Sequence, residues 1–85
     1  MSELTIHYHA AVMTTTKSTS DKFSLPENGL KVSELTRAIV SRYPGVDRVL
    51  TTSRWIVDGE SIDPLSSFIL EGGEDVHVIP RLTGG

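Results

Sequence analysis

The chain has 85 residues, a net charge of −3 and no cysteine, which predicts one small domain without disulfides or cysteine-ligated zinc. It has no basic cluster, which argues against nucleic acid or an anionic membrane as a partner. No apolar stretch approaches the roughly 20 residues that span a bilayer. Met1-Ser2-Glu3 does not begin a signal peptide, so we expect a cytoplasmic protein.

Two strands are predicted near the amino terminus. Polar and apolar residues alternate over residues 4–12, the pattern of a half-buried strand, with Leu4, Ile6, Tyr8 and Ala10 on one face and Thr5, His7 and His9 on the other. The Thr- and Ser-rich segment 13–21 shows no helical periodicity and is predicted to be a loop. Residues 22–25 form a short second strand, and Pro26-Glu27-Asn28-Gly29 is a turn signal.

A helix is predicted in the middle of the chain. Val32, Leu35, Ile39 and Tyr43 follow helical spacing and form its apolar side. We interpret them as core residues. Pro44 ends the helix, because proline disfavours the helical conformation of the residue before it.

The remaining strands follow this helix. They cover residues 53–57 and 75–80, and a tight Asp58-Gly59 hairpin turn leads from the first of them into residues 60–62. Segment 63–70 is a connection, residues 71–74 form a turn, and Trp55 is predicted to pack inside. The order β-β-α-β-β predicts an α+β fold: a mixed sheet whose first and last strands are parallel neighbours, with one helix on one face and the other face open.

The printed sequence finishes on Gly84-Gly85, after Pro80, Arg81, Leu82 and Thr83. Two such glycines contribute nothing to a core, yet they present a bare backbone and an unhindered carboxylate that a narrow channel can admit. A frayed terminus is the alternative interpretation. We therefore predict a globular domain over residues 1–79 and a flexible tail over residues 80–85, which spans about 20 Å when extended.

The acidic turn Glu71-Gly72-Gly73-Glu74, the following strand with Ile79-Pro80, and Thr83-Gly84-Gly85 together resemble the ubiquitin-like β-grasp sulfur carriers, the family of molybdopterin synthase small subunits. The resemblance covers nearly the whole chain. Two features depart from the family pattern. Arg81 stands where a second proline is common, and the outward strand positions of His7 and His9 are commonly apolar.

The resemblance implies that the chain binds no cofactor and is a carrier, with catalysis left to its partners. A ubiquitin-activating-type enzyme would use ATP to adenylate the Gly85 carboxylate, and a sulfurtransferase donor would convert it to a thiocarboxylate. The sulfur would pass to a pterin precursor held by the molybdopterin synthase large subunit. Sulfur carriage for thiamine or tRNA, conjugation to lysines, and non-covalent binding remain alternatives.

The open sheet face beside the tail is the predicted docking surface, with candidate contacts Ile79, His77, His7, His9 and Phe68. In the tail, Pro80 would limit chain entropy, Arg81 would pair with an acidic rim and Leu82 would enter an apolar notch. The histidines also suggest a metal site. We interpret them instead as solvent-facing or interface residues, because the sequence places no carboxylate to orient them.

Overall fold

The computed structural model describes residues 2–80. Five strands form the main sheet in the spatial order β2-β1-β7-β4-β5, and β3 and β6 form a separate two-stranded ladder. The strands are β1 (Ser2–Tyr8), β2 (Ser20–Leu25), β3 (Leu30–Lys31), β4 (Ser53–Val57), β5 (Glu60–Ile62), β6 (Ile69–Leu70) and β7 (Asp75–Pro80), and the helices are α1 (Ala10–Thr16), α2 (Val32–Arg42) and α3 (Asp47–Thr51). Among these residues, no helix is long and apolar enough to cross a membrane.

The first and last strands are parallel neighbours, as predicted, with His7 opposite His77. The other strand pairs are antiparallel. The Asp58-Gly59 turn is also confirmed, since both residues have positive φ angles, +50° and +84°, as a two-residue hairpin loop requires. The mixed α+β sheet is therefore the one that the sequence predicts.

The core lies on the helix-covered side of the sheet. The predicted helix residues Val32, Leu35 and Ile39 are fully buried, and Trp55 is 1% exposed. They pack with the inward residues of the strands in one cluster. Apolar burial of this kind is the dominant stabilising term in a domain of this size.

A polar cluster joins the carboxyl end of α2 to the edge of the sheet. Tyr8 on β1 donates a hydrogen bond to Asp21 Oδ2 on β2 (2.9 Å). Tyr43, which caps α2, donates to the same oxygen, and Arg42 lies 3.5 Å from Asp21 Oδ1. Because burial and the contact with Asp21 both disfavour a phenolate, the pKa of Tyr8 lies well above its ordinary value.

The prediction of a strand over residues 4–12 is wrong at its end, and so is the loop over 13–21. The strand stops at Tyr8, His9 is the N-cap, and α1 follows. Val12 and Thr16 are the buried residues of α1, one helical turn apart. Threonine is a poor helix former. The buried Thr16 hydroxyl is nevertheless hydrogen-bonded, because it donates to the Val12 carbonyl (2.9 Å).

The prediction of a single helix is also wrong, because the described residues contain three. In α3 and its N-cap, Val46 and Leu50 supply two buried apolar side chains with a spacing of four. The segment predicted as a plain connection includes β6, which pairs with β3 and buries Leu70. These elements are too short to show a clear period in sequence.

Candidate interaction face

The open face of the sheet carries the outward residues of β1 and β7. Side chains alternate along a strand, so Thr5 and His7 of β1 lie on this face together with Asp75, His77 and Ile79 of β7. The pairing register puts His7 and His77 side by side, and Ile56 of β4 on the far side of His77. The face predicted as a docking surface is therefore present and solvent-accessible.

Three predicted interface residues, His7, His9 and His77, form one compact group. The rings of His7 and His77 stack with centroids 4.6 Å apart. The rings of His9 and His77 are 5.1 Å apart, and His9 Nε2 lies 2.8 Å from His77 Nδ1. His9 reaches this position as the extended N-cap of α1 rather than as a strand residue.

Asp75 is not among the predicted interface residues, yet it contacts two of the histidines. Its Oδ2 accepts a hydrogen bond from His77 Nε2 (2.9 Å), and its Oδ1 lies 3.1 Å from His7 Nε2. The expectation that no carboxylate orients the histidines is therefore wrong. The signal was available, since Asp75 and His77 are two residues apart on a predicted strand and so share a face.

The electrostatics of the group follow from this contact. The hydrogen bond from His77 lowers the pKa of Asp75 below its ordinary value, and the nearby His77 and His7 rings act in the same direction. The backbone of Asp75 is held by Asp58, whose Oδ1 accepts from the Asp75 amide at 2.9 Å. The Asp58 amide in turn donates to the Asp75 carbonyl at 2.9 Å.

The two apolar residues of the predicted surface are both exposed, Ile79 to 39% and Phe68 to 37%. Ile79 lies on the open face opposite Arg54 of β4. Phe68 lies outside the five-stranded sheet, in the segment before β6. The structure thus places Ile79 with the histidines and puts Phe68 in a connecting segment outside the sheet.

The predicted tail begins at Pro80, but Pro80 is the last residue of β7 and pairs with Ser53. The other predicted tail residues, Arg81, Leu82, Thr83, Gly84 and Gly85, lie outside the described residues. What the structure fixes is the point from which they continue, which is the end of the central strand whose outward side chains include His77 and Ile79.

Comparison with known proteins identifies the family. No protein-family model matches the chain. The molybdopterin synthase sulfur carrier subunit of Mycosarcoma maydis is 37% identical over 82 residues, which cover 92% of this chain and 88% of the relative. That of Chlamydomonas reinhardtii is 29% identical over 58 residues, 68% of this chain and 70% of the relative.

Solved structures support the fold. A putative molybdopterin converting factor subunit 1 from Pyrococcus furiosus has a TM-score of 0.82 at 19% identity, covering 96% of this chain and all of that one. SAMP1 from Haloferax volcanii has a TM-score of 0.81 at 15% identity, with 98% and 99% covered.

The structure of a complex of subunits 1 and 2 of the Helicobacter pylori molybdopterin-converting factor has a TM-score of 0.66 at 19% identity, with 98% and 99% covered. These likenesses confirm the ubiquitin-like β-grasp fold. Together with the 37% identity to the Mycosarcoma maydis protein, which extends over nearly the whole chain, they establish that the chain belongs to the family of molybdopterin synthase sulfur carrier subunits.

Proposed function

We propose that this protein carries sulfur on the carboxylate of Gly85 for the synthesis of molybdopterin. The observation that carries the proposal is the 37% identity to a molybdopterin synthase sulfur carrier subunit, over 92% of this chain. The fold alone would not choose this function, because the same fold accommodates unrelated roles. A structural neighbour is a small archaeal modifier protein.

A carboxylate is a poor electrophile, so it must be activated before sulfur can replace one of its oxygens. An adenylating partner lets a Gly85 oxygen attack the α-phosphorus of ATP, so that pyrophosphate leaves and an acyl-adenylate forms. A donor that supplies sulfur at the oxidation level of sulfide then displaces AMP and leaves a thiocarboxylate. Transfer of this sulfur to a pterin precursor, with water supplying the replacing oxygen, restores the carboxylate.

The geometry of the described domain supports delivery into a partner. The tail continues from β7, and the open face of the same strand carries His77 and the exposed Ile79. A large synthase subunit that covers this face would receive the tail next to the contact, as expected of a carrier that docks outside a buried site. The Helicobacter pylori relative forms a complex between its subunits 1 and 2, which supports such a partner.

The test compares the full chain with two variants, deletion of Gly85 and Gly84→Val. Each is incubated with the adenylating enzyme, ATP and a sulfur donor, and then with the large subunit and the pterin precursor. We expect the intact chain to gain one sulfur in place of one oxygen, seen by intact mass, and to support turnover. Both variants should lose turnover without any change in melting temperature, because neither change touches the described core.

A chain with one extra glycine after Gly85 is the matched control, since it retains a glycine carboxylate but moves it by one residue. We expect it to be adenylated poorly or to deliver sulfur poorly. Turnover retained by the Gly85 deletion would overturn the carrier function. Isopeptide-linked Gly85 on other proteins from the native host, with no thiocarboxylate, would establish a protein modifier instead. Thiocarboxylate without pterin turnover would indicate thiamine or tRNA thiolation.

A further inference from the structure

We propose that His7, His77 and Asp75 form a Zn²⁺-binding site on the open face of the sheet, with His9 as the residue that orients His77. The inference does not depend on sulfur transfer. It rests on four side chains that the fold brings together from β1, β7 and the N-cap of α1.

The donor atoms have the spacing that a small ion needs. One ligand atom from each of His7, Asp75 and His77 can be chosen so that all three lie within 4.8 Å of one another. His7 Nε2 is 3.1 Å from Asp75 Oδ1, and His77 Nε2 is 2.9 Å from Asp75 Oδ2. Ligands about 2.0–2.1 Å from a tetrahedral Zn²⁺ are about 3.3 Å apart, so small movements of these side chains admit the ion.

The ligand chemistry also fits zinc. Two imidazoles and one carboxylate make up a protein ligand set typical of open zinc sites, in which a fourth position is left for water or another ligand. Magnesium and calcium prefer an all-oxygen set, which this group lacks. Copper(II) and nickel(II) also favour imidazole, so their binding to the purified chain is expected as well.

The site is held by the fold rather than by chance encounters of surface side chains. His7 and His77 are register partners on adjacent parallel strands, and their rings are already stacked. Asp75 is fixed through its backbone by the side chain and amide of Asp58. The side chains of His7 and His77 are only partly exposed, to 38% and 31%. Preordered ligands lose less conformational entropy when an ion binds.

A metal-bound histidine almost always donates its other ring N–H to a second group, and His9 can accept this hydrogen bond from His77. Asp75 Oδ2 accepts from His77 Nε2–H, and in the tautomer that carries its proton there, His77 Nδ1 accepts from His9 Nε2–H. When Nε2 binds Zn²⁺, the His77 proton moves to Nδ1 and is donated to His9 Nε2. The His9 proton moves to its own Nδ1, and no net proton is required. This second contact fixes the tautomer and the ring orientation of His77.

Calorimetry with ZnCl₂ on the untagged, metal-free full chain tests the site, with Co²⁺ absorption as a second readout of tetrahedral geometry. We expect saturable binding of one ion per chain. His7→Ala and His77→Ala should weaken binding more than about 100-fold, and His9→Ala about tenfold, the effect typical of an orienting residue.

Asp75→Asn and Glu60→Gln form a matched pair, because each removes one exposed carboxylate. Only Asp75→Asn should weaken binding, whereas non-specific attraction of a cation would be reduced by both. Circular dichroism verifies that every variant is folded. His7→Gln and His77→Gln serve as milder replacements if either alanine variant unfolds.

No saturable Zn²⁺ binding, or equal affinity in the His77 variants and the parent chain, would overturn the proposal. The proposal would also fail if Zn²⁺ shifted histidine side-chain NMR signals but left those of His7 and His77 unchanged. In that case the group is a hydrogen-bonded surface cluster only. A negative result for Zn²⁺ would leave the sulfur-carrier proposal standing, because that proposal is tested at Gly85 on a chain that keeps all three histidines.

Discussion

The two faces of the main sheet are built from alternate residues of the same strands, yet they differ sharply in composition. On the covered face, Ile6 and Val76 are fully buried. One residue further along each strand, His7 and His77 are partly exposed and contact each other and Asp75. A shift of one residue would exchange the two faces, so the alternation itself specifies which face is core.

One face of the sheet holds the domain together, and the other is accessible to other molecules. On the covered face, burial of apolar side chains stabilises the folded domain. The open face contains titratable and ligand-forming groups whose contribution to folding is small, because ion pairs at a solvated surface are weak. Changes on the covered face should therefore act on stability, and changes on the open face should act on binding.

The strongest test of this division is a pair of identical substitutions on the two faces. Ile6→Ala removes a fully buried side chain and should lower the free energy of unfolding by about 2–5 kcal/mol. Ile79→Ala removes a side chain that is 39% exposed and should cost about 1 kcal/mol or less. Urea unfolding followed by circular dichroism measures both. Equal losses would show that the open face is covered by something in the folded chain, and the division would fail.

A second pair of substitutions tests which of the turns before β3 and β5 packs against the core. Gly29 (φ +79°) and Gly59 (φ +84°) share a backbone conformation that costs other residues about 1–2 kcal/mol. A Cβ on Gly29 would lie 2.6 Å from the carbonyl oxygen of the buried Leu70, whereas one on Gly59 meets nothing within 4 Å.

Gly29→Ala should therefore destabilise the domain by about 2–3 kcal/mol and Gly59→Ala by about 1 kcal/mol. Thermal melting of the two variants beside the parent chain measures the difference. If the two alanine variants melt at the same temperature, the β3–β6 ladder does not pack tightly against the turn, and Leu70 is less firmly part of the core than the structure indicates.

The smallest of the three expected differences in stability concerns the polar edge of the covered face. Tyr8→Phe keeps the buried ring but removes the hydrogen bond to Asp21, which retains Tyr43 and Arg42 as partners. The cost near neutral pH should be about 1 kcal/mol.

This cost should depend on pH in one direction. The raised pKa of Tyr8 means that the unfolded chain loses the phenol proton first, near tyrosine's ordinary pKa of about 10. The advantage of the parent chain over Tyr8→Phe is therefore fully present below about pH 10 and declines as the pH rises from there toward the raised pKa. Urea midpoints of both proteins between neutral pH and pH 11 measure this. A constant difference would show that Tyr8 ionises as easily in the folded chain as in the unfolded one.

Most of the sheet could be predicted from sequence because alternation, the Asp58-Gly59 turn and the helical spacing of Val32, Leu35 and Ile39 are local patterns. The errors fall where the signal is short or contrary to propensity. In α1 a threonine is helical because Val12 and Thr16 face the core together, and tertiary packing overrides the weak intrinsic preference of threonine. The short β3–β6 ladder pairs Leu30 with Leu70 and Lys31 with Ile69, residues far apart in the chain, which no local pattern reveals.

The sequence by itself determined the strand faces and the parallel pairing of the first and last strands, because these depend on periodicity and chain order. Only the tertiary structure decided that His9, the N-cap of α1, contacts His77, and that Asp75 lies between His7 and His77. Such contacts depend on register and on the path of a non-strand segment, and their distances are set by packing across the whole domain rather than by neighbours in the chain.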